Sequence, residues 1–218
     1  EMFASVIKEQ EKTSSRKQYH VAVMPCTAKK FEAARDEFRV DGVPNVDAVI
    51  TTQELIRMIK ESGVVFEDLE PEALDMPFGV TSGAGVIFGV TGGVTEAVLR
   101  RLASDKSRGG LYAAALTGVR GMKGVKEASV PYLDREVRIA IVSGLSNADA
   151  LVRKILAGEA HYDFVEVMAC PGGCVSGAGQ PYSSSGAKAE RGEGLYAVDR
   201  VSSVKRSEEN SLVQALYG

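Results

Sequence analysis

The sequence predicts an α/β fold with largely parallel sheets, because strand-like and helix-like segments alternate along its 218 residues. The chain is 44% hydrophobic and 25% charged, a composition that excludes disordered, collagen-like and coiled-coil proteins. It contains no internal repeat and no linker that would separate independent domains. We therefore expect one large domain or two tightly joined lobes.

The N-terminal part of the chain contains two strand-helix pairs in its hydrophobic pattern. We expect a helix at residues 2–12, a buried strand at 19–24, a helix at 29–38 and a short strand at 46–50. Thr51 followed by Glu54 resembles a capping box, so the next helix begins there and ends at Gly63.

The remaining elements follow the same alternation after a loop at residues 66–78. Six glycines fall within residues 79–93, and a helix follows at 94–102. Residues 111–119 and 128–133 are predicted strands of a more exposed sheet. A strand at 137–142, a helix at 147–156 and a strand at 162–168 come next, followed by a Gly/Ser-rich loop at 175–193 and a last helix at 207–217.

Charge and hydropathy exclude two classes of partner. The 26 basic and 29 acidic residues give a net charge of -3 and no concentrated basic patch, which disfavours nucleic-acid binding. No run approaches the roughly 18–20 apolar residues needed to cross a bilayer, and the first residues lack the pattern of a secretory signal. We expect a cytoplasmic protein without a membrane span, with a periplasmic location not excluded.

The three cysteines are the main chemical signal. Cys26 follows one predicted strand, and Cys170 and Cys174 flank Pro171-Gly172-Gly173 after another. The carboxyl ends of such strands are where α/β sheets bind ligands. An odd, small number of cysteines argues against structural disulfides, and soft thiolates suit zinc or an iron-sulfur cluster. Zinc sites more often show a Cys-x-x-Cys pair, and the alternative for each cysteine is a small buried hydrophobe.

These cysteines lie in motifs that resemble a known family. Residues 23–32 (VMPCTAKKFE) resemble the second signature of iron-only (FeFe) hydrogenases, and residues 166–174 (EVMACPGGC) with 179–181 (GQP) resemble the third. Residues 82–93 (SGAGVIFGVTGG) and 47–52 (DAVITT) are similar to the same family. The likeness extends over nearly all of the chain.

The resemblance implies two α/β lobes with mostly parallel sheets flanking a buried cofactor cleft. The cofactor would be the H-cluster, a four-iron cubane (4Fe-4S) joined through one cysteine sulfur to a two-iron subcluster that carries CO and cyanide. The reaction would be the reversible reduction of protons to H2, with a ferredoxin-like electron donor or acceptor, or fused cluster domains, as partner. By this resemblance Cys26 and Cys170 are terminal cubane ligands, and Cys174 bridges the two parts.

The resemblance also implies roles for residues around the cofactor. Lys29 would hold one cyanide through its ammonium group, and the Pro25 backbone would lie on the other side. Glu32 is either a buried partner for a lysine or an ordinary first-turn helix charge. Without the motif, Lys29 would be assigned as a solvated helix residue.

Three apolar side chains and one glycine complete the implied site. Met24 and Met168 would form a soft wall next to the irons, while Phe88 and Gly89 would close the pocket near the exchangeable coordination site. Plain core packing is the alternative for these side chains. A phosphate-binding loop at residues 79–93 is disfavoured because no Gly-Lys-Ser/Thr ending is present, and we expect that helix start to face the anionic cofactor.

Departures from the family pattern keep further functions open. The first cysteine signature is absent, which predicts that residues 1–218 are a partial H-cluster domain of two interlocked lobes, truncated at both ends and unable to evolve H2 alone. Maturation proteins would then supply the cofactor. Residues 176–180 replace a glycine triplet and Thr95 replaces methionine, so an H2-sensing signalling protein is one alternative. A hydrogenase-like iron-sulfur assembly protein is another.

Overall fold

The computed structural model describes residues 2–12, 17–76, 79–102, 120, 124–183 and 186–217. The predicted strand at 111–119 lies outside these residues. The chain divides into two compact units. Unit 1 comprises Glu1–Glu72 and Gly177–Tyr182, and unit 2 comprises Ala73–Ser176 and Ser183–Gly218.

Unit 1 contains three helices and two small sheets among its described residues. Its elements are α1 (Met2–Glu11), β1 (Val21–Met24), α2 (Ala28–Ala33), β2 (Arg39–Val40), β3 (Val43–Pro44), β4 (Ala48–Thr51) and α3 (Thr52–Glu61). Strand β1 pairs in parallel with β4, and β2 pairs with β3 as an antiparallel hairpin. The carboxyl ends of β1 and β4 therefore lie side by side, and α2 and α3 follow them directly.

Unit 2 is built on a three-stranded mixed sheet. Its elements are α4 (Gly83–Val86), α5 (Gly93–Leu102), β5 (Val125–Tyr132), β6 (Arg135–Ser143), α6 (Leu145–Leu156), β7 (Phe164–Met168), α7 (Ala187–Val201) and α8 (Ser211–Tyr217). The strand order is β5-β6-β7. The central strand β6 is antiparallel to β5 and parallel to β7, and its residues from Ile139 to Val142 are almost fully buried.

The predicted α/β class is confirmed, and both units contain a parallel strand pair followed by helices. The strands predicted at 137–142 and 162–168 and the helices at 2–12 and 147–156 are present. The strand predicted at 128–133 falls mostly within β5, which is largely exposed, as expected, and pairs antiparallel with β6. None of the described helices is both long and apolar enough to cross a membrane.

The expectation of buried strands before the cysteines is wrong. Val21 and Val23 of β1 and Val165 and Val167 of β7 are all exposed. In β1 the alternating residue Ala22 packs on a small core with Val46 and Val49 of the same unit. Each strand thus exposes one face, and the other face is only partly covered in β1, which a continuous apolar run in the sequence does not reveal.

The helix predicted at 29–38 is shorter than expected. Helix α2 ends at Ala33, because Arg35 adopts an extended conformation before a single 3₁₀ turn at Asp36–Phe38. The chain then enters the β2–β3 hairpin, whose two-residue turn places Asp41 and Gly42 at φ 52° and 77°. An Asp-Gly pair with positive φ at both positions is the favoured connection for such a hairpin.

The loop predicted at 175–193 ends earlier than expected, because helix α7 begins at Ala187. Gly192 and Gly194 lower the intrinsic helix propensity of this stretch, which is why the sequence suggests a loop. Gly192 is buried, and a Cβ atom there would lie 3.5 Å from Val90. Tertiary packing along one face therefore compensates for the glycines.

A cluster of four charges, of which Glu96, Arg100 and Asp199 are buried, joins α7 to α5. Arg100 donates to both carboxylate oxygens of Asp199 at 2.7 Å and to Glu96 at 2.5 Å. Arg120 donates to both oxygens of Glu96 at 2.8 Å and stacks on the Tyr196 ring. Burial alone would raise the pKa of Asp199. The Arg100 guanidinium has the opposite effect and outweighs burial, so that this pKa lies below its ordinary value.

Replacing Arg100 by methionine is expected to destabilise the chain by about 3–5 kcal/mol, since two buried carboxylates lose their main cation. The matched control is Arg101→Met, because the Arg101 side chain is 65% exposed and pairs with Glu208 at the surface. This control should cost less than about 1 kcal/mol. Urea unfolding of both variants measures the difference, and equal losses would contradict the assignment of Arg100 as the central cation.

Candidate functional site

The carboxyl end of β1 carries the first group of predicted site residues. Met24 is the last residue of β1, and Pro25 and Cys26 form the turn into α2. Cys26 forms no disulfide and is partly buried. Lys29, on the first turn of α2, forms an ion pair with Glu32 three residues later. Glu32 thus has a lysine partner on its own helix, and the pair is partly exposed rather than buried, with side chains 44% and 33% exposed.

A distant segment, residues 177–182, packs directly on this turn within unit 1. The Gly179 N–H donates to the Pro25 carbonyl at 3.0 Å, and the Gly179 carbonyl accepts from the Gln53 N–H at 3.1 Å. A Cβ atom at Gly179 would lie 2.9 Å from the backbone nitrogen of Cys26. Only glycine allows this approach. The GQP part of one motif is thus brought against the cysteine of the other.

The capping box predicted at the start of α3 is confirmed and also holds α2. The Glu54 carboxylate accepts from the Thr51 N–H at 2.7 Å, and the Glu54 N–H donates to the Thr51 hydroxyl. The Lys30 ammonium donates to the same carboxylate at 2.6 Å. Hydrogen bonds from Lys30 and Thr51 lower the pKa of Glu54 to about 2. The two helices beside the Cys26 turn are thereby linked through one carboxylate.

The carboxyl end of β7 carries the second group. The Met168 carbonyl accepts from the Gly144 N–H at 2.8 Å, and the Cys170 carbonyl accepts from the Gly173 N–H at 2.9 Å. The buried Ser143 hydroxyl accepts from the Gly172 N–H at 2.8 Å. The loop between the two cysteines is thus fixed to the ends of both β6 and β7. Cys170 and Cys174 form no disulfide and are partly buried.

Backbone geometry favours glycine at both positions of this loop, and space also requires it at Gly173. Gly172 and Gly173 both have φ near 93°, a conformation that disfavours any residue with a Cβ atom. A Cβ at Gly173 would lie 2.7 Å from the Thr91 nitrogen and 2.8 Å from the Gly89 carbonyl oxygen. Residues 89–91 therefore lie directly against the cysteine loop. The neighbouring Phe88 is 45% exposed.

Glu166 is the main residue that the sequence analysis missed. It lies on β7 and is 5% exposed. Its carboxylate accepts from the Gly92 N–H, the Thr95 N–H and the Thr95 hydroxyl, each at 2.7 Å. The N-terminus of α5 is therefore occupied by a carboxylate of the chain itself, and the expectation that it faces an anionic cofactor is wrong. A glutamate at an apolar strand position is the signal that could have indicated such a partner.

A lysine on β5, two strands away in the same sheet, contributes to the electrostatics around Glu166. Lys126 and Glu166 both pair with Ile141, from opposite sides of β6, and so lie in one row across the sheet. Burial lowers the pKa of Lys126, and the charge of Glu166 opposes this shift in part. The Glu166 carboxylate thus shares a row of the sheet with the Lys126 ammonium group and accepts from backbone N–H groups at the N-terminus of α5. Both features stabilise a buried anion.

The three cysteine thiols are the type of ligand that binds iron-sulfur clusters. None of the three cysteines forms a disulfide, and two of them flank a glycine turn without space for side chains. Among the described residues, no group of three or more His, Cys, Asp or Glu could hold a single metal ion. Each thiolate of a four-iron cluster binds a different iron, so such ligands need not converge on one point. The Ser176 hydroxyl, two residues after Cys174, is buried and has no hydrogen-bond partner among the residues that the structure describes.

The predicted site residues thus form two groups, each assembled within one unit. In unit 1 they are Met24, Pro25, Cys26, Lys29 and Glu32, together with the segment at 177–182. In unit 2 they are Phe88, Gly89, Met168, Cys170 and Cys174.

Comparison with protein families identifies this combination of motifs. The family model described as "Iron only hydrogenase large subunit, C-terminal domain" matches residues 1–178. The chain is 45% identical over 199 residues to the NADP-reducing hydrogenase subunit HndD of Solidesulfovibrio fructosivorans, covering 90% of this chain and 34% of that protein. It is also 34% identical over 224 residues to cytosolic iron-sulfur assembly component 3 of Mus musculus, covering 95% and 45%.

Solved structures give the same result for the fold. A variant of the FeFe-hydrogenase HydA1 from Chlamydomonas reinhardtii superposes with a TM-score of 0.73 at 36% sequence identity, covering 99% of this chain and 62% of that chain. The chain therefore spans about a third to less than half of the length of the two curated relatives named above.

Replacing Gly173 by alanine should destabilise the fold more than the same change at Gly158. Both glycines have positive φ, but a Cβ atom at Gly158 meets nothing within 4 Å. Gly158→Ala should cost only the conformational strain of about 1–2 kcal/mol. Gly173→Ala should cost about 1–3 kcal/mol more because of overpacking against residues 89–91. Chemical denaturation of the two variants measures this difference, and equal costs would show that the loop can move away.

Replacing Glu166 by glutamine should loosen the N-terminus of α5. The amide keeps the shape but loses the charge that the helix amides stabilise, so the Gly92 and Thr95 N–H groups should exchange about tenfold faster, which corresponds to a local loss of about 1.4 kcal/mol. Hydrogen exchange monitored by NMR gives this value. The control is Glu136→Gln, at an exposed position of β6, and unchanged protection in Glu166→Gln would contradict the assignment.

Proposed function

We propose that this chain, which belongs to the family of iron-only hydrogenase large subunits, forms part of an H-cluster domain that interconverts protons and H2. In this reaction two protons and two electrons combine to one H2 molecule, and the reverse step releases them. A ferredoxin-like protein or fused cluster domains would exchange the electrons. The observation that carries the proposal is the Cys170–Cys174 loop, whose glycines and thiols fit a cluster.

The cysteines are the proposed ligands. Cys26 and Cys170 each give one thiolate to a four-iron cluster, and Cys174 gives a thiolate shared between this cluster and a two-iron unit. When bound, these groups supply the redox chemistry of the reaction. A four-iron cluster has four ligand positions, and the chain has three cysteines. The fourth position is therefore filled from outside these three thiols.

The proposed role of Lys29 is to bind a negatively charged ligand of the cofactor. Its ammonium group has three N–H donors, and the ion pair with Glu32 occupies one of them. Lys29 can therefore keep Glu32 as a partner while donating a second hydrogen bond. Glu32 orients the ammonium group and fixes its charge.

The remaining proposed roles concern shape and water. Met24 and Met168, each at the end of a strand, line the cofactor with polarisable, apolar side chains, and Phe88 with Gly89 covers the reacting side. Pro25 has no N–H, and its carbonyl is already bonded to Gly179. Its contribution is therefore to hold the Cys26 turn in place rather than to donate a hydrogen bond.

The second candidate function is iron-sulfur cluster assembly. It is supported by the similarity to the assembly component of Mus musculus, which covers 95% of this chain. In that case the cysteines would hold a four-iron cluster without a two-iron unit. The higher identity to the HndD subunit, 45% against 34%, favours the hydrogenase function.

Anaerobic loading with iron and sulfide tests the proposed ligands. With 2-mercaptoethanol as thiolate for the fourth position, we expect about four irons per chain. Changing any one of Cys26, Cys170 or Cys174 to serine should lower this number, while His20→Ala and His161→Ala should leave it unchanged. Iron analysis and electron paramagnetic resonance provide the readout. Equal iron in the wild type and in the triple cysteine variant would contradict the assignment.

The infrared spectrum then separates the two functions. The iron-loaded chain is incubated without oxygen with a two-iron compound that carries CO and cyanide, and the unbound compound is removed. Sharp CO and cyanide bands that remain with the chain after this removal are expected for a hydrogenase. Four bound irons without such bands would contradict the hydrogenase function and favour cluster assembly.

A further inference from the structure

Ser143, the last residue of β6, carries a hydroxyl that joins three separate parts of unit 2. Its Oγ atom accepts from the Gly172 N–H of the cysteine loop at 2.8 Å and from the Thr91 hydroxyl at 3.5 Å. The Thr91 N–H in turn donates to the Gly172 carbonyl at 3.3 Å. The three residues therefore form a closed ring of hydrogen bonds between β6, the cysteine loop and the residues before α5.

This ring is shielded from water, and its central residue is firmly held. Thr91 and Ser143 are 1% and 2% exposed, and Gly172 is buried as well. The Ser143 N–H donates to the Gly124 carbonyl at 2.7 Å, and the Ser143 carbonyl accepts from the Asn147 side chain at 2.7 Å. The hydroxyl is thus presented from a fixed point, and water can replace it as the acceptor for the Gly172 N–H only after a local opening.

The cysteine loop needs such an anchor because its own sequence gives it little rigidity. Gly172 and Gly173 have no side chains to pack, and glycine loses more conformational freedom on ordering than any other residue. Among the described residues, no side chain other than that of Ser143 bonds to the backbone of residues 170–173. Without this hydroxyl the Gly172 N–H would be buried and unpaired, which favours loop conformations that expose it to water.

We propose that Ser143 is a positioning residue that holds Cys170 and Cys174 in their cluster-binding arrangement before the cluster is bound. It acts through the Gly172 N–H and not on the cluster itself. Ligands that are already ordered need not be ordered at the moment of binding, so more of the binding free energy is retained. Supporting groups of this kind typically change metal affinity about 10-fold to 100-fold. The inference rests on the proposed function, because it requires that these two cysteines bind a cluster.

Hydrogen exchange of the cluster-free chain, monitored by NMR, tests the anchor by itself. In Ser143→Ala the Gly172 N–H should exchange about tenfold faster than in the wild type, because it has lost its acceptor. The Thr95 N–H, which donates to Glu166, should keep its protection. Equal acceleration at both positions would indicate a general loss of stability and would overturn the inference.

The second measurement follows the cluster after anaerobic loading with iron, sulfide and 2-mercaptoethanol. Ser143→Ala should release iron to an excess of chelator about tenfold faster than the wild type. Its electron paramagnetic resonance signal should be broader, because the two cysteines no longer have a single arrangement. Ser143→Thr keeps the acceptor oxygen and adds a methyl group. Its Gly172 protection and its slow iron release should be retained together or lost together, and a split between them would contradict the proposal.

The matched control is Ser82→Ala, which removes another buried hydroxyl of unit 2 with two partners, Ser207 and the Gly85 N–H. Ser82→Ala should lower the melting temperature of the cluster-free chain about as much as Ser143→Ala does, since each variant loses the hydrogen bonds of one buried hydroxyl. It should leave iron release unchanged. Equal rates of iron release in the two variants would show that Ser143 has no specific effect on the cysteine loop.

The possible outcomes separate the inference from the proposed function. If the wild-type chain binds no cluster, both are overturned, whatever the exchange rate of the Gly172 N–H. If the wild type and Ser143→Ala bind equal iron and release it equally fast, only the inference is overturned. If Ser143→Ala does not fold, Ser143 supports the whole of unit 2 rather than the cysteine loop, and the inference is overturned as well.

Discussion

The geometry around the cysteine loop depends on the hydrogen bonds that the Glu166 carboxylate accepts. This carboxylate ties β7, the strand that leads to Met168 and Cys170, to the first turn of α5 through three hydrogen bonds of 2.7 Å. The residues just before α5, 89–91, are those that contact Gly173. One buried anion at a helix N-terminus therefore fixes both sides of the contact, and the helix amides offset the cost of burying its charge.

The same unit contains a second set of buried charges with a different role. Arg100, in the last turn of α5, binds Asp199 of α7 and Glu96 in the first turn of its own helix, and the partly exposed Arg120 also binds Glu96. Glu166 holds α5 at its start. A helix fixed at both ends by charged groups has little freedom to slide, because any shift leaves a buried charge without its partner. The position of residues 89–91 against the cysteine loop follows from this restraint.

The sequence predicts the strands that precede the cysteines and the capping box of α3, since periodicity and capping are local signals. It does not predict α7, because Gly192 and Gly194 are compensated only by packing against distant residues such as Val90. It also does not predict that Gly179 lies on the Cys26 turn, since the two are far apart in the chain. The types of the site residues are thus local information, while the partners of Glu166 and Gly179 arise only in the folded chain.

The two departures from the family pattern have physical explanations that do not require a sensory function. Ala178, which replaces a glycine, is exposed and has no positive φ, so its methyl group is accommodated in solvent. Its neighbour Gly179 has no room for a Cβ atom, and this position has kept glycine. Thr95 is fully buried, and its hydroxyl donates to Glu166. Threonine at this position therefore adds a hydrogen bond that holds the N-terminus of α5. A direct hydrogen bond from Thr95 to a cofactor would require breaking the bond to Glu166.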